Sequence, residues 1–172
     1  MKNCLKNNEG FSLVEMVVVV LIIAILAVAL APQVIKWIEH SRNSSDEQTK
    51  NTLLEYASFA LTEEEAFKMV KDGEYEIHIV KDINGTTYTY MDKNGTHVGA
   101  ANVDQTDPYW ANLLKCVGVS SLEKLEEETR IKSTPEPDQP IEIEILVYIG
   151  GYTYGKLKGI ENATLGIVNA DS

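Results

Sequence analysis

Between Met16 and Ala31 the chain reads MVVVVLIIAILAVALA, without one charged or strongly polar residue. At ~1.5 Å rise per residue this run makes a helix about 24 Å long. Taken from Phe11 to Ile35, the apolar stretch holds about 25 residues, enough to cross a hydrocarbon core of ~30 Å. Val and Ile are mediocre helix formers in water. Lipid offers the backbone no hydrogen-bond partner, so it enforces the helix regardless. A membrane-spanning helix is expected over residues 11–35.

Lys2, Lys6 and the amino terminus precede the run, so the positive-inside rule leaves residues 1–10 in the cytoplasm and everything after Lys36 outside. The small residues of LAVALA near Ala31 also permit a second reading, an ordinary secretory signal cleaved there. Pro32 lacks an N–H and removes a hydrogen bond from the preceding turn. It is expected to loosen the helix, to mark the membrane exit, or both.

Glu15 is the feature that sharpens the question, because a lone charge inside an apolar segment costs a few kcal/mol. It could snorkel to the interface or take up a proton. It could instead have a partner. If the chain were cut after Gly10, Phe11 would carry a new positive amine four residues before Glu15. On a neighbouring copy shifted along the helix axis, that amine could meet the carboxylate. Breaking such a pair would leave an unpaired buried charge, so it would select the axial register between copies.

The short basic leader ending in Gly10, followed by FSLVE and a long apolar helix, resembles the prepilin signature of type IV pilins. The resemblance covers the leader and first helix. It implies a membrane peptidase that cuts after Gly10 and methylates the amine of Phe11, with Glu15 as the acid supporting assembly. Pro32 falls where many pilins carry a proline at which the helix loosens in the filament. Two departures stand out. Glu9 precedes Gly10, where a basic residue is common. Of the two cysteines, Cys4 lies in the leader and only Cys116 would remain, so the disulfide familiar near the pilin C-terminus cannot form. Its absence is similar to pilins of Gram-positive bacteria and leaves packing to hold the C-terminal region. Cys116 itself reads as a small buried apolar residue.

The rest, residues 36–172, reads as one extracellular α+β headpiece. The helix is expected to continue past Pro32 through Leu61, with Val34, Ile38, Leu53, Ala57 and Leu61 on one apolar side. Its middle, His40 to Asn51, is polar all round and reads as solvated or weakly buried. Thr62 with Glu65 reads as a capping box for a short helix ended by Gly73. EYEIHIV and TTYTYMD then read as strands joined by KDING, followed by a second turn in MDKNGTHV. Asp107, Pro108 and Gly118 frame a helix, and SSLEKLEEETRI forms another with a charged solvated face. Ser133 to Pro140 reads as an extended linker. IEIEILVYIG and YTYGKLKG follow as a hairpin, with Glu142 and Glu144 facing solvent, and ATLGIVN is a candidate last strand. The expected fold is a long helix laid against a mostly antiparallel sheet.

Chemistry-bearing motifs are few. Asp82 with Asn84, and Asp92 with Asn94, fit turns better than a calcium loop, lacking its full spacing and closing glutamate. His40, His78 and His97 show no metal-ligand spacing. Asn84, Asn94 and Asn162 begin glycosylation-type triplets, the first two more simply explained as turns. No phosphate loop, nucleophile elbow or acid/base pair appears, so neither an enzyme nor a cofactor is expected. The formal net charge of −11 disfavours nucleic-acid binding.

The reading that joins these features is a structural subunit, in its fullest form a major pilin. It would wait in the cytoplasmic membrane and assemble into a retractable extracellular filament serving twitching motility, attachment and biofilm formation. The resemblance implies as partners further copies of the chain, minor pilins, the prepilin peptidase, and an assembly ATPase acting through a platform protein. Alternatives are a pseudopilin of a secretion or DNA-uptake machine, and a membrane-tethered binding domain that never polymerises.

Overall fold

The computed structural model describes residues 11–71, 74–91, 94–148 and 150–160. The chain divides into two compact units, Met1–Ile38 and Glu39–Ser172. Helix α1 (Leu13–Ala60) supplies the regular structure of the first unit and opens the second. Every residue from Phe11 to Ile38 is exposed, Val28 to 78% and Ile25 to 70%. The helix runs through Pro32 instead of ending there. Proline has no N–H to give the carbonyl of Val28, so the turn is held by one hydrogen bond fewer.

In the second unit five strands form one antiparallel sheet: β1 (Tyr75–Asp82), β2 (Gly85–Met91), β3 (His97–Val98), β4 (Ile141–Tyr148) and β5 (Tyr152–Lys158), in the order β3-β2-β1-β4-β5. The two expected hairpins are present, and β1 of the first pairs with β4 of the second. Period-2 alternation decides which residues enter the core. Tyr75, Ile77 and Ile79 of β1 and Ile141, Ile143, Ile145 and Val147 of β4 are all almost fully buried. They join one cluster with Leu53, Ala57 and Ala60 of α1.

Three further α-helices, α2 (Glu64–Lys71), α3 (Pro108–Val117) and α4 (Leu122–Glu128), and a short 3-10 helix, Ala100–Asn102, belong to the described part of the unit. The centre is aromatic: the Trp110 ring lies 5.2–5.6 Å from those of Tyr75, Tyr90 and Tyr109, edge-on to each. Asp107 caps α3 by accepting from the Tyr109 amide at 2.9 Å, and it also accepts from the Tyr75 hydroxyl at 3.0 Å. Gly118 ends α3 in the left-handed region at φ 83°, as its position in the sequence predicts.

Several expectations change. Val34 and Ile38 are exposed while Leu53 and Ala57 are buried, so the apolar side of α1 faces the core only in its last turns. The polar stretch His40–Asn51 contains a fully buried carboxylate. Asp46 accepts from the backbone amides of Lys132 at 2.7 Å and Ser133 at 2.8 Å. The Ser133–Pro140 segment is therefore fastened at its start, not a free linker. Glu39 accepts from the Thr134 amide at 2.7 Å, and Lys81 donates to the Ile131 and Ser133 carbonyls.

Thr62 does not cap α2. Its hydroxyl donates to the Phe59 carbonyl at 2.8 Å, and the first turn closes on the Glu63 carbonyl through the Phe67 amide. Cys116 is a half-buried free thiol, more open than a core residue. The Gly73 stop and the ATLGIVN segment lie outside the described residues.

Candidate functional site

The start of α1 carries the chemistry singled out by sequence. Ser12 occupies the N-cap position, its carbonyl accepting from the Met16 amide at 3.2 Å. Glu15 reaches back and accepts from the Ser12 amide at 2.8 Å. This is one half of a capping box, Ser-x-x-Glu, and it satisfies a donor that the helix geometry orphans. The signature stands in SLVE, but the apolar run around it makes Glu15 read as a misplaced charge and not as a cap. The acid also lies in the first turn, where the helix dipole favours negative charge. Glu15 thus has a local partner within its own chain.

Phe11 lies just before the cap and is 78% exposed. Beyond Glu15 the helix presents apolar side chains on every side, as the consecutive Val17, Val18, Val19 and Val20 show. A helix apolar all round is stable only in lipid or buried among other apolar elements. Residues 13–60 form the one helix long and apolar enough to cross a membrane among the described residues. Pro32 lies within it, whereas Gly10 lies outside the described residues.

Elsewhere the structure gathers residues that sequence spacing keeps apart. Glu76, buried in β1, lies 3.0 Å from Nε2 of His97 on β3 and 4.0 Å from Nδ1 of His78. Strand order brings His97 to Glu76, whereas His78 lies beside it by the two-residue spacing of β1. Among the described residues no group of three or more His, Cys, Asp or Glu has the arrangement of a metal site. Asp82 is occupied by its own turn: Oδ1 accepts from the amides of Asn84 at 2.7 Å and Gly85 at 2.9 Å. These bonds, the Asn84 amide foremost, hold its carboxyl below the usual aspartate value. Glu142 and Glu144 are half-buried, not fully solvated, and Lys158 approaches them at 3.1 and 3.9 Å.

Residues 5–31 match the family model described as the prokaryotic N-terminal methylation motif. No curated protein and no solved structure matches the chain. The matched residues take in the last part of the leader, the Ser12–Glu15 cap and the apolar run. The chain carries a type IV pilin-like prepilin leader, which supports a protein of the pilin or pseudopilin type.

Proposed function

We propose that the chain is a type IV pilin, the major subunit of a retractable surface filament. The observation that carries this reading is the pairing of a methylation motif with a helix whose apolar side chains, from Leu13 to Ile35, have no cover of their own. In the membrane, lipid covers them. In a filament, the same residues of neighbouring copies would do so, each fully buried Val, Leu or Ile contributing roughly 1.5–3 kcal/mol relative to water. Passage from lipid to filament exchanges one apolar environment for another. Apolar burial therefore gives cohesion but little axial selectivity.

Selectivity is assigned to Glu15. Cleavage after Gly10 by a prepilin peptidase would create the Phe11 amine, and methylation leaves that amine able to hold its positive charge. Paired with Glu15 of an adjacent copy, it would offset the desolvation of both charges at one particular register. The leader then lies in the cytoplasm and residues 36–172 form the outer headpiece. Copies embedded in the membrane serve as the reservoir for extension and retraction, driven by an assembly ATPase through a platform protein, with minor pilins as further partners. Attachment, twitching motility and biofilm formation follow from such a filament. Pro32 would be the point at which the helix loosens on packing.

Mass spectrometry of surface material should find a mature chain beginning at methylated Phe11. A chain beginning just after Ala31, or one retaining Met1, would overturn the reading. Two substitutions separate the roles of Glu15. Glu15→Gln keeps an acceptor for the Ser12 amide and removes the charge, whereas Glu15→Ala removes both. If the charge sets register, electron microscopy should show filaments lost in both variants. Filaments retained in Glu15→Gln would mean the acid acts only as a helix cap.

A further inference from the structure

The outward face of the β4–β5 hairpin bears three tyrosines, on a chain of net charge −11. On β5 the residues alternate strictly, with Tyr152, Tyr154, Lys156 and Lys158 exposed and Thr153, Gly155 and Leu157 half-buried. The inward set meets α1: the Thr153 and Ser58 hydroxyls are 2.8 Å apart, and Leu54 packs beside Gly155. The outward set therefore points away from the helix. Register places Tyr148 opposite Tyr152 and Leu146 opposite Tyr154. The tyrosines are 40%, 75% and 48% exposed in chain order.

Beyond these aromatic rungs the same face changes character. Glu144 stands opposite Lys156 and Glu142 opposite Lys158, whose Nζ approaches both carboxylates. Two acids and two lysines cancel, so the strip carries no net charge on a protein of net charge −11. Two strands wide and ~3.3 Å per residue in length, it runs about 20 Å from Tyr152 to Lys158. It offers ring faces at one end and fixed donors and acceptors at the other.

We propose that this strip binds a neutral polysaccharide lying along the hairpin. Sugar rings present C–H faces that stack on tyrosine and hydroxyls that pair with carboxylate and ammonium groups. Charge narrows the class by disfavouring an anionic polymer. An anionic polymer meets the repulsion of the whole chain, while a neutral one meets a locally neutral strip. Tyrosines suit a hydrated ligand better than a dry protein contact, since each hydroxyl keeps a hydrogen-bonding group at the surface. This binding does not depend on the chain polymerising.

The test is affinity electrophoresis of the full chain in non-ionic detergent, through gels containing hydroxyethylcellulose, glucomannan, xylan or a β-1,3-glucan, with carboxymethylcellulose as the anionic control. Retardation by at least one neutral polymer is expected, weakened about tenfold for each ring removed in Tyr152→Ala and Tyr154→Ala. Circular dichroism should show the variants folded, since both side chains stand in solvent. Three outcomes would overturn the proposal: no retardation by any neutral polymer, equal retardation of the variants, or retardation by carboxymethylcellulose alone. If the substitutions instead abolish self-association in sedimentation without affecting sugar binding, the strip is a contact between copies and the proposal also fails. A Phe11 amine without methylation would count against the pilin reading while leaving this one intact.

Discussion

The two units handle apolar side chains in opposite ways. From Phe11 to Ile38 every side chain is exposed, Val and Ile included. In the second unit Ile77, Ile79, Ile143 and Ile145 are at most 1% exposed. The residue types are alike, so composition does not make the difference. Periodicity does. The β1 and β4 isoleucines recur at every second residue, so one face of each strand is apolar and can close against a helix. Residues 16–31 have no polar face to turn outward, and no other described residue covers them. The first unit must borrow its burial from outside; the second supplies its own.

If that contrast is sound, substitutions in the two units should separate stability from assembly. The largest effect on stability is expected from Trp110→Ala, which empties the aromatic centre. It should cost about 3–5 kcal/mol, read as a lower denaturant midpoint for the full chain in detergent. Ile22→Ala, an equally apolar deletion in the first unit, should leave that midpoint unchanged and lower filament yield. A shift of similar size in both variants would show that the two units unfold together and would break the comparison.

Asp46→Ala comes next. Two backbone amides lose a fully buried charged acceptor, and removing it should cost about 3 kcal/mol. Asp46→Asn retains one acceptor oxygen and should cost roughly half as much, because one amide stays paired. Thermal melts of the two variants check the order. Equal costs would mean that the charge itself, not the count of satisfied amides, holds the segment.

The smallest effect concerns Asp82. Its folded carboxyl titrates below the ordinary value of 3.8, so the turn's contribution is complete above that pH and lost as pH falls through the folded value. Amide exchange at Gly85, followed by NMR, should show no ionisation-linked loss of protection above pH 5 and less protection below pH 3.8. Asp82→Asn should remove that acid dependence. Protection that already falls above pH 5 would contradict the depressed carboxyl.

These contrasts also show what a sequence can display. Both hairpins and α3 were legible because their signals are local: alternation, a turn with Asp82 and Gly85, a cap at Asp107 and a stop at Gly118. Asp46 was not, because its amide partners at Lys132 and Ser133 lie far along the chain, and an aspartate among polar neighbours looks solvated. Thr62 and Glu65 fit the capping pattern, but the hydroxyl was claimed by the end of the preceding helix. At Ser12 and Glu15 the same pattern does form its bond, within an apolar run that hides it. A local motif announces a possible bond; competition from neighbours decides whether it forms. The Glu76–His97 contact depends on strand order, which no spacing rule encodes.

The pairing of β1 with β4 has a consequence for how the molecule comes into being. The first hairpin can form as soon as Met91 is available, but its inner edge then lies bare until Ile141–Tyr148 arrives, with α3 and α4 made in between. Closure of such distant pairings is slow, and an open apolar edge invites wrong partners while it lasts. If the chain is exported as the proposed pilin reading requires, the interval before β4 docks is the vulnerable one. The α1 anchor would hold nascent copies in the plane of the bilayer during that wait. Retention there would keep an unfinished domain from being released before its sheet is closed.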